Sequence, residues 1–187
     1  MLRIIAGYAR GRRFRAPEGR DTRPTLDRVR ENLFNMLQGR CLDARTLDLF
    51  AGSGALSLEA LSRGAAFAVL ADRDREAIRA EKENLAALGM AEKSRVIRSE
   101  WQDTVRTLAA EGEKFDLIFL DPPYQMTDLR EMTGLLLPLM AEEGLLILEH
   151  QARAEVQVTE ALTIIRERTW GYCGVKIYER MRDSGLL

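Results

Sequence analysis

The stretch Asp48-Leu49-Phe50-Ala51-Gly52-Ser53-Gly54 constrains this chain more than any other. Before it, Thr46 to Phe50 has the composition of a short buried strand. After it, Leu56, Leu58 and Leu61 fall on one side of a helix that stops at Gly64. The two glycines remove the Cβ atoms that would hold a ligand away from a tight strand-to-helix turn. Such a turn offers backbone N–H groups and the positive end of a helix to a nucleotide-like ligand, at the carboxyl end of a strand in an open α/β sheet. Gly-x-Gly by itself is a weak signal, and the NAD fingerprint is incomplete, because Ser57 stands where the third glycine belongs. A second strand, Phe67 to Ala71, ends in Asp72, 18 residues beyond Gly54. A ribose-binding carboxylate belongs there, after one helix and one strand. Asp74 competes for that role but also fits as the N-cap of the next helix.

The alternation continues. The spacing predicts a helix over 75–88 carrying Ile78, Leu85 and Leu88, stopped by Gly89, then a strand from Arg95 to Ser99 leading to Glu100-Trp101 and a helix to about 110. Phe115 to Leu120 is too apolar for an edge strand. Leu129, Met132, Leu136 and Leu139 line another helix, Leu145 to Leu148 is a fifth strand ending at Glu149-His150, and Thr163–Arg166 with Val175–Tyr178 form a terminal hairpin. Strands separated by helices give a mainly parallel sheet covered on both faces. At 187 residues the chain suits one full core with a small appendage, 1–40 as extension and 41–187 as main domain. No apolar run approaches the roughly 20 residues of a membrane helix, and no signal-peptide core is present. Cys41 and Cys173 form neither a CxxC pair nor a disulfide framework, so a reducing, cytoplasmic setting without zinc is expected.

Asp121-Pro122-Pro123-Tyr124 is the second chemical element. Neither proline has an N–H to continue the ladder, so the corner holds backbone carbonyls and the Asp121 carboxylate as a rigid set of acceptors, with Tyr124 as a flat face beside them. Acceptors and an aromatic plate suit the exocyclic amine of an unstacked base. Alone, the same four residues read as a stiff strand-ending turn with an aromatic lid. His150, the one histidine, reads as a strand-end residue, since Asp121 already covers the role of proton acceptor.

Net charge of −1 hides an asymmetry. Residues 1–30 hold nine arginines against three acids, a balance of +6, which leaves −7 on the other 157. A basic arm on a mildly acidic body suits a polyanion, and arginine suits phosphate forks and base stacking. Leu2, Ile4, Ile5, Tyr8 and Phe14 around Gly7 and Gly11 look like short strands within it. A helix follows from Leu26, with Val29, Leu33 and Leu37 on the same face and Gly39 at its end.

Together, Asp48–Gly54, Asp72 and Asp121–Tyr124 resemble the motifs of S-adenosylmethionine-dependent amino-methyltransferases. Arg3-Ile4-Ile5-Ala6-Gly7, Gly11-Arg12-Arg13 and Thr22-Arg23-Pro24-Thr25 leading into Arg28-Val29-Arg30-Glu31 resemble the RsmD family of bacterial 16S rRNA guanine-N2 methyltransferases. The resemblance covers residues 1 to about 150. It implies a Rossmann-like class I methyltransferase with a seven-stranded, mainly parallel sheet whose last strand is antiparallel, plus a basic hairpin-and-helix extension. It implies S-adenosylmethionine over Asp48, Phe50, Ala51, Gly52, Ser53 and Gly54, ribose hydroxyls on Asp72, and adenine beside Glu100 and Trp101. The Glu-Trp pair departs from the Asp or Asn plus small residue that many relatives carry there. Catalysis falls to Asp121, Pro122, Pro123 and Tyr124, and RNA contact to Arg3, Arg10, Arg12, Arg13, Arg23 and Arg28. The expected partner is 16S rRNA in a partly or fully assembled small subunit, met by a monomer without metal. A DNA adenine-N6 methyltransferase would share both motifs, and methylation of another RNA or of a protein amide, or a non-catalytic nucleotide-binding module with an RNA arm, are further alternatives.

Overall fold

The computed structural model describes residues 1–16 and 24–181. In chain order these form a hairpin of β1 (Leu2–Arg3) and β2 (Arg13–Phe14), helix α1 (Pro24–Met36), then β3 (Arg45–Asp48), α2 (Ala55–Ser62), β4 (Phe67–Asp72), α3 (Arg75–Leu88), β5 (Ser94–Arg98) and α4 (Trp101–Ala110). They continue as β6 (Phe115–Leu120), α5 (Arg130–Leu136), β7 (Met140–Gln151), β8 (Leu162–Trp170) and β9 (Cys173–Arg180). The seven-stranded sheet has the order β5-β4-β3-β6-β7-β9-β8. Its first five strands are parallel, and β9 runs antiparallel to both neighbours. The sheet is mainly parallel, as the alternation of strands and helices indicates, and seven-stranded, as the family resemblance implies.

The apolar run of β6 explains its central place. Alternate side chains point to opposite faces, and both faces are covered. Leu117 and Phe119 pack with Leu33, Leu37, Leu58, Leu61 and Leu85 on the side of α1, α2 and α3. Ile118 and Leu120 pack with Val105, Leu108, Met132 and Leu136 on the side of α4 and α5. Strand β7 is longer than the apolar run Leu145–Leu148 indicated. Its first half carries the exposed pair Glu142 and Glu143 and passes a register shift against β6 between Phe115 and Leu117. Gly144 permits that: a Cβ there would lie 2.8 Å from the Phe115 carbonyl oxygen. The α5 pattern splits, because Pro138 sits in a separate 3-10 turn, Leu137–Leu139. Among the described residues no helix is long and apolar enough to cross a membrane.

The hairpin shares the main core. Leu2, Ile4 and Phe14 are buried in the same cluster as Leu33 and Leu58. Glu59 of α2, fully buried, fixes it there: its carboxylate accepts from the N–H of Ile5 at 2.8 Å and of Ala6 at 3.0 Å. It also accepts from Arg63 Nε at 2.8 Å and faces Arg30 Nε at 3.7 Å. Gly7, at φ +85, lies against Ser62, whose carbonyl oxygen would sit 1.8 Å from any Cβ there. Removing one member of a buried ion pair strands the other, at about 3–5 kcal/mol. Glu59→Ala is therefore expected to lower the unfolding free energy by about that amount in a urea titration. A loss under about 1 kcal/mol would mean that water replaces the carboxylate at no cost.

Candidate functional site

Strand β3 ends at Asp48 and the chain enters the glycine turn. Gly52 and Gly54 have φ +58 and +78, the left-handed region that disfavours any residue with a Cβ. A Cβ at Gly54 would lie 2.9 Å from Leu70 Cδ2, whereas one at Gly52 would meet nothing within 4 Å, so the Gly52 side of the turn is open. Asp72, at the end of β4, braces that side: it accepts from Gly52 N–H at 3.0 Å and from Asp74 N–H at 2.9 Å. Asp74 itself is the N-cap of α3, accepting from the N–H groups of Glu76 and Ala77 at 2.7 and 3.0 Å. Ser57, in place of a third glycine, donates to Asp48 Oδ2 at 3.1 Å. Asp48 Oδ1 is buried with no partner among the described residues. Burial pushes the Asp48 carboxyl up to about 7.

Strand β6 lies parallel to β3 with Phe119 opposite Asp48, so the corner after β6 leaves the sheet beside the glycine turn. Asp121 is half-buried, Pro122 is buried, and Tyr124 keeps 41% of its surface exposed. Burial, with the charges of Glu149 and Asp121, raises the Tyr124 phenol well above its usual range, so it stays neutral. A cleft of about 130 Å³ is walled by Asp48, Phe50, Ala51, Gly52 and Ser53 on one side and by Asp121 and Glu149 on the other, with Arg30 of α1 as its cation. A wider hollow of about 450 Å³ adjoins it across Gly52 and is lined by Asp72, Asp74 and α3.

Other expected site residues fall outside these two spaces. Glu100 is exposed ahead of α4, 3.7 Å from Arg73, and Trp101 packs against the α4–α5 side of the core. Arg10, Arg13 and Arg28 are exposed. Arg3 reaches Asp27 at 3.3 Å. Arg12 closes the end of α3, donating to the Leu88 carbonyl at 3.0 Å and to that of Ala87. Arg23 lies outside the described residues, as does Thr22. His150 is buried against Gly174, with Nδ1 2.8 Å from the Gln151 carbonyl, as a strand-end residue would be. Both cysteines are free and buried. Among the described residues no group of three or more His, Cys, Asp or Glu could hold a metal ion.

Sequence reasoning missed four residues. Arg30 reads in the sequence as one arginine of the basic arm and of the Arg28–Glu31 motif, yet its guanidinium is buried between Asp27, Glu59 and the Arg3 carbonyl while it lines the cleft. Glu59 and Glu81 sit on helix faces that otherwise read as apolar. Glu149 was seen only as the end of a strand.

The family model described as Conserved hypothetical protein 95 matches residues 2–179. Ribosomal RNA small subunit methyltransferase D of Escherichia coli (strain K12) is 40% identical over 182 residues, which cover 96% of this chain and 90% of that protein. The chain belongs to this family. YlbH of Bacillus subtilis (strain 168) is 38% identical over 182 residues, spanning 96% of this chain and 99% of that one. The solved structure of yhhF from Escherichia coli superposes with a TM-score of 0.81 at 40% identity, covering 96% and 97% of the two chains. The methyltransferase D family thus accounts for nearly the whole chain, hairpin and terminal strands included. The residues present fit S-adenosylmethionine on two observations: the unpartnered Asp48 Oδ1 on the cleft suits a cationic group, and the Gly52 backbone faces open space.

Beneath the turn lies Glu81 of α3, with both carboxylate oxygens buried and unpartnered among the described residues and its Cγ 3.7 Å from where a Cβ of Gly54 would be. Burial first, then the charges of Asp48 and Asp72, push it up to about 9. Between its ordinary range near 4.5 and about 9 the folded protein keeps a proton that the unfolded chain has lost, so stability falls as pH rises through that window. Glu81→Gln should flatten that fall, by at most ~1.4 kcal/mol per pH unit, in melts taken between about pH 5 and pH 9. An unchanged slope would mean that Glu81 is already ionised in the fold.

Proposed function

We propose that this protein transfers a methyl group from S-adenosylmethionine to the exocyclic N2 amine of a guanine in 16S rRNA. The observation that carries the reading is the shared cleft, with Asp48 and the glycine turn on one wall and Asp121 on the other. The name of the relatives, ribosomal RNA small subunit methyltransferase D, supplies the substrate class. Bound there, S-adenosylmethionine supplies an electrophilic methyl on a sulfonium. Asp48 and the open Gly52 side of the turn would hold its methionine part, and Asp72 would take the ribose hydroxyls. Glu100 and Trp101, which the family resemblance assigns to adenine, line neither space, so their contact with it would come from outside both.

The guanine amine is a poor nucleophile because its lone pair is delocalised into the ring. Asp121 and the Pro122 carbonyl accept its two N–H groups, localise the lone pair and aim it into the cleft. Positioning of this kind supplies roughly 7–11 kcal/mol of a barrier. As positive charge grows on the nitrogen, the fixed Asp121 carboxylate stabilises the transition state more than the ground state. Pro123 stiffens the corner, and Tyr124 offers its exposed face for stacking. Residues 1–40 serve as the RNA-facing extension of the domain 41–187, with Arg10, Arg13 and Arg28 on phosphates and Arg3, Arg12 and Arg23 adding positive field. The enzyme works in the cytoplasm as a monomer, on rRNA in a partly or fully assembled small subunit.

Tritium transfer from labelled cofactor to 30S particles and to naked rRNA from an unmodified strain, followed by mapping of the label, tests the reading; label outside 16S guanines would sink it. Asp121→Ala is expected to abolish transfer while cofactor affinity, measured calorimetrically, stays within a few-fold. Replacing Arg10 and Arg13 together with alanine should reduce the slope of log affinity against log salt by about 1 to 2. Arg12 is left intact because it also caps α3.

A further inference from the structure

The Asp-Pro-Pro-Tyr corner binds an amine but cannot by itself tell guanine from other amino-bearing bases. The structure offers a second acceptor. β6 and β7 run parallel with Leu120 opposite Leu148. The next residue after each is an acid: Asp121 leaves the sheet as β6 ends, and Glu149 lies beside it within β7, which runs on to Gln151 paired with β9. Both line the cleft that holds Asp48 and Gly52. Glu149 also lines the adjoining hollow beside Pro122, Pro123 and Tyr124, and so stands between the methyl-transfer cleft and the proposed stacking face. Its position is held from β9, where Cys173 Sγ lies 3.2 Å from Glu149 Oε1.

The edge of guanine that carries N2 presents two neighbouring donors, N1–H and N2–H. Adenine, 2-aminopurine and 2,6-diaminopurine carry a bare lone pair at N1. We propose that Glu149 accepts the N1–H of the target guanine, and that with Asp121 on N2–H it makes the site specific for guanine. The assignment rests on the guanine-N2 reading above. A carboxylate is an acceptor only, so it pairs with N1–H and repels an N1 lone pair. Sites built to bond a donor reject analogues lacking it far more strongly than apolar pockets reject a missing methylene. Two acids side by side, one just past the end of β6 and one within β7, thus match two donors in register on one base edge.

The test uses the full chain, labelled cofactor and RNA carrying guanosine, 2-aminopurine or 2,6-diaminopurine at the mapped position, reconstituted into the particle if the particle is the substrate. All three bases keep the 2-amino group. Wild type is expected to favour guanosine by more than about tenfold in kcat/KM over both analogues. Glu149→Gln, whose amide can donate to an N1 lone pair, should bring the three within about threefold of one another. A wild-type preference retained by Glu149→Gln would overturn the assignment, since a residue acting only as a strand-end brace would slow all three bases alike. Should the variant fail to fold, wild type decides alone: equal rates on guanosine and both analogues overturn the assignment, and a tenfold preference shared by both supports it. Absence of transfer to guanosine by wild type would remove the guanine-N2 reading itself, and this inference with it.

Discussion

The parallel pairing of β3 with β6 is what the site depends on. Strand order reverses at β3: the chain runs outward through β4 and β5, then returns to the other side of β3 as β6. At such a switch point the loops from two adjacent strand ends diverge and leave a crevice between them. Opposition of Asp48 and Phe119 sets the depth of that crevice, because Asp121 follows two residues later. Slipping the register by one residue would turn the buried side chains of β6 to the opposite faces. Leu117 and Phe119 would then lose their places against α1 and α2. Core packing and cleft geometry are therefore fixed by the same ladder.

Acidic groups gather under and around the crevice: Asp48, Asp72, Glu81, Asp121 and Glu149. Burying carboxylates is unfavourable, and the raised values at Asp48 and Glu81 express that cost. The arrangement suits a ligand that brings positive charge, because a cation beside the buried, unpartnered Asp48 Oδ1 would favour the ionised carboxylate. Arg30 is the exception on the wall. Its guanidinium is tied to Asp27, Glu59 and the hairpin backbone, and burial lowers its pKa against the pull of those two acids. It joins the arginine-rich arm to the cleft through one side chain.

Much of this was legible in the chain itself. Periodicity and glycine stops gave α3 and β6 their bounds, because both are long, regular and framed by unambiguous breakers. The glycine turn and the proline corner were readable because their residues serve backbone geometry as well as chemistry. Glu59 and Glu81 were not readable. Each sits where a helix face points into the core, and a single acid among leucines and alanines carries no sign of what surrounds it there, partners for Glu59 and none for the Glu81 oxygens among the described residues. Glu149 was hidden for another reason: its meaning comes from the neighbouring strand, and the register of β7 depends on an irregularity at Gly144 that no periodicity reveals. Arg12 had the composition of a phosphate ligand, yet tertiary packing gave its guanidinium two helix-end carbonyls.

Leu2 is both part of the central core and a lining residue of the cleft, while Met1 beside it is open to solvent. Anything joined in front of Met1, whether an affinity handle or a fusion partner, therefore starts one residue from the cleft wall. Such an attachment would crowd the entrance used by a large substrate before it disturbed folding.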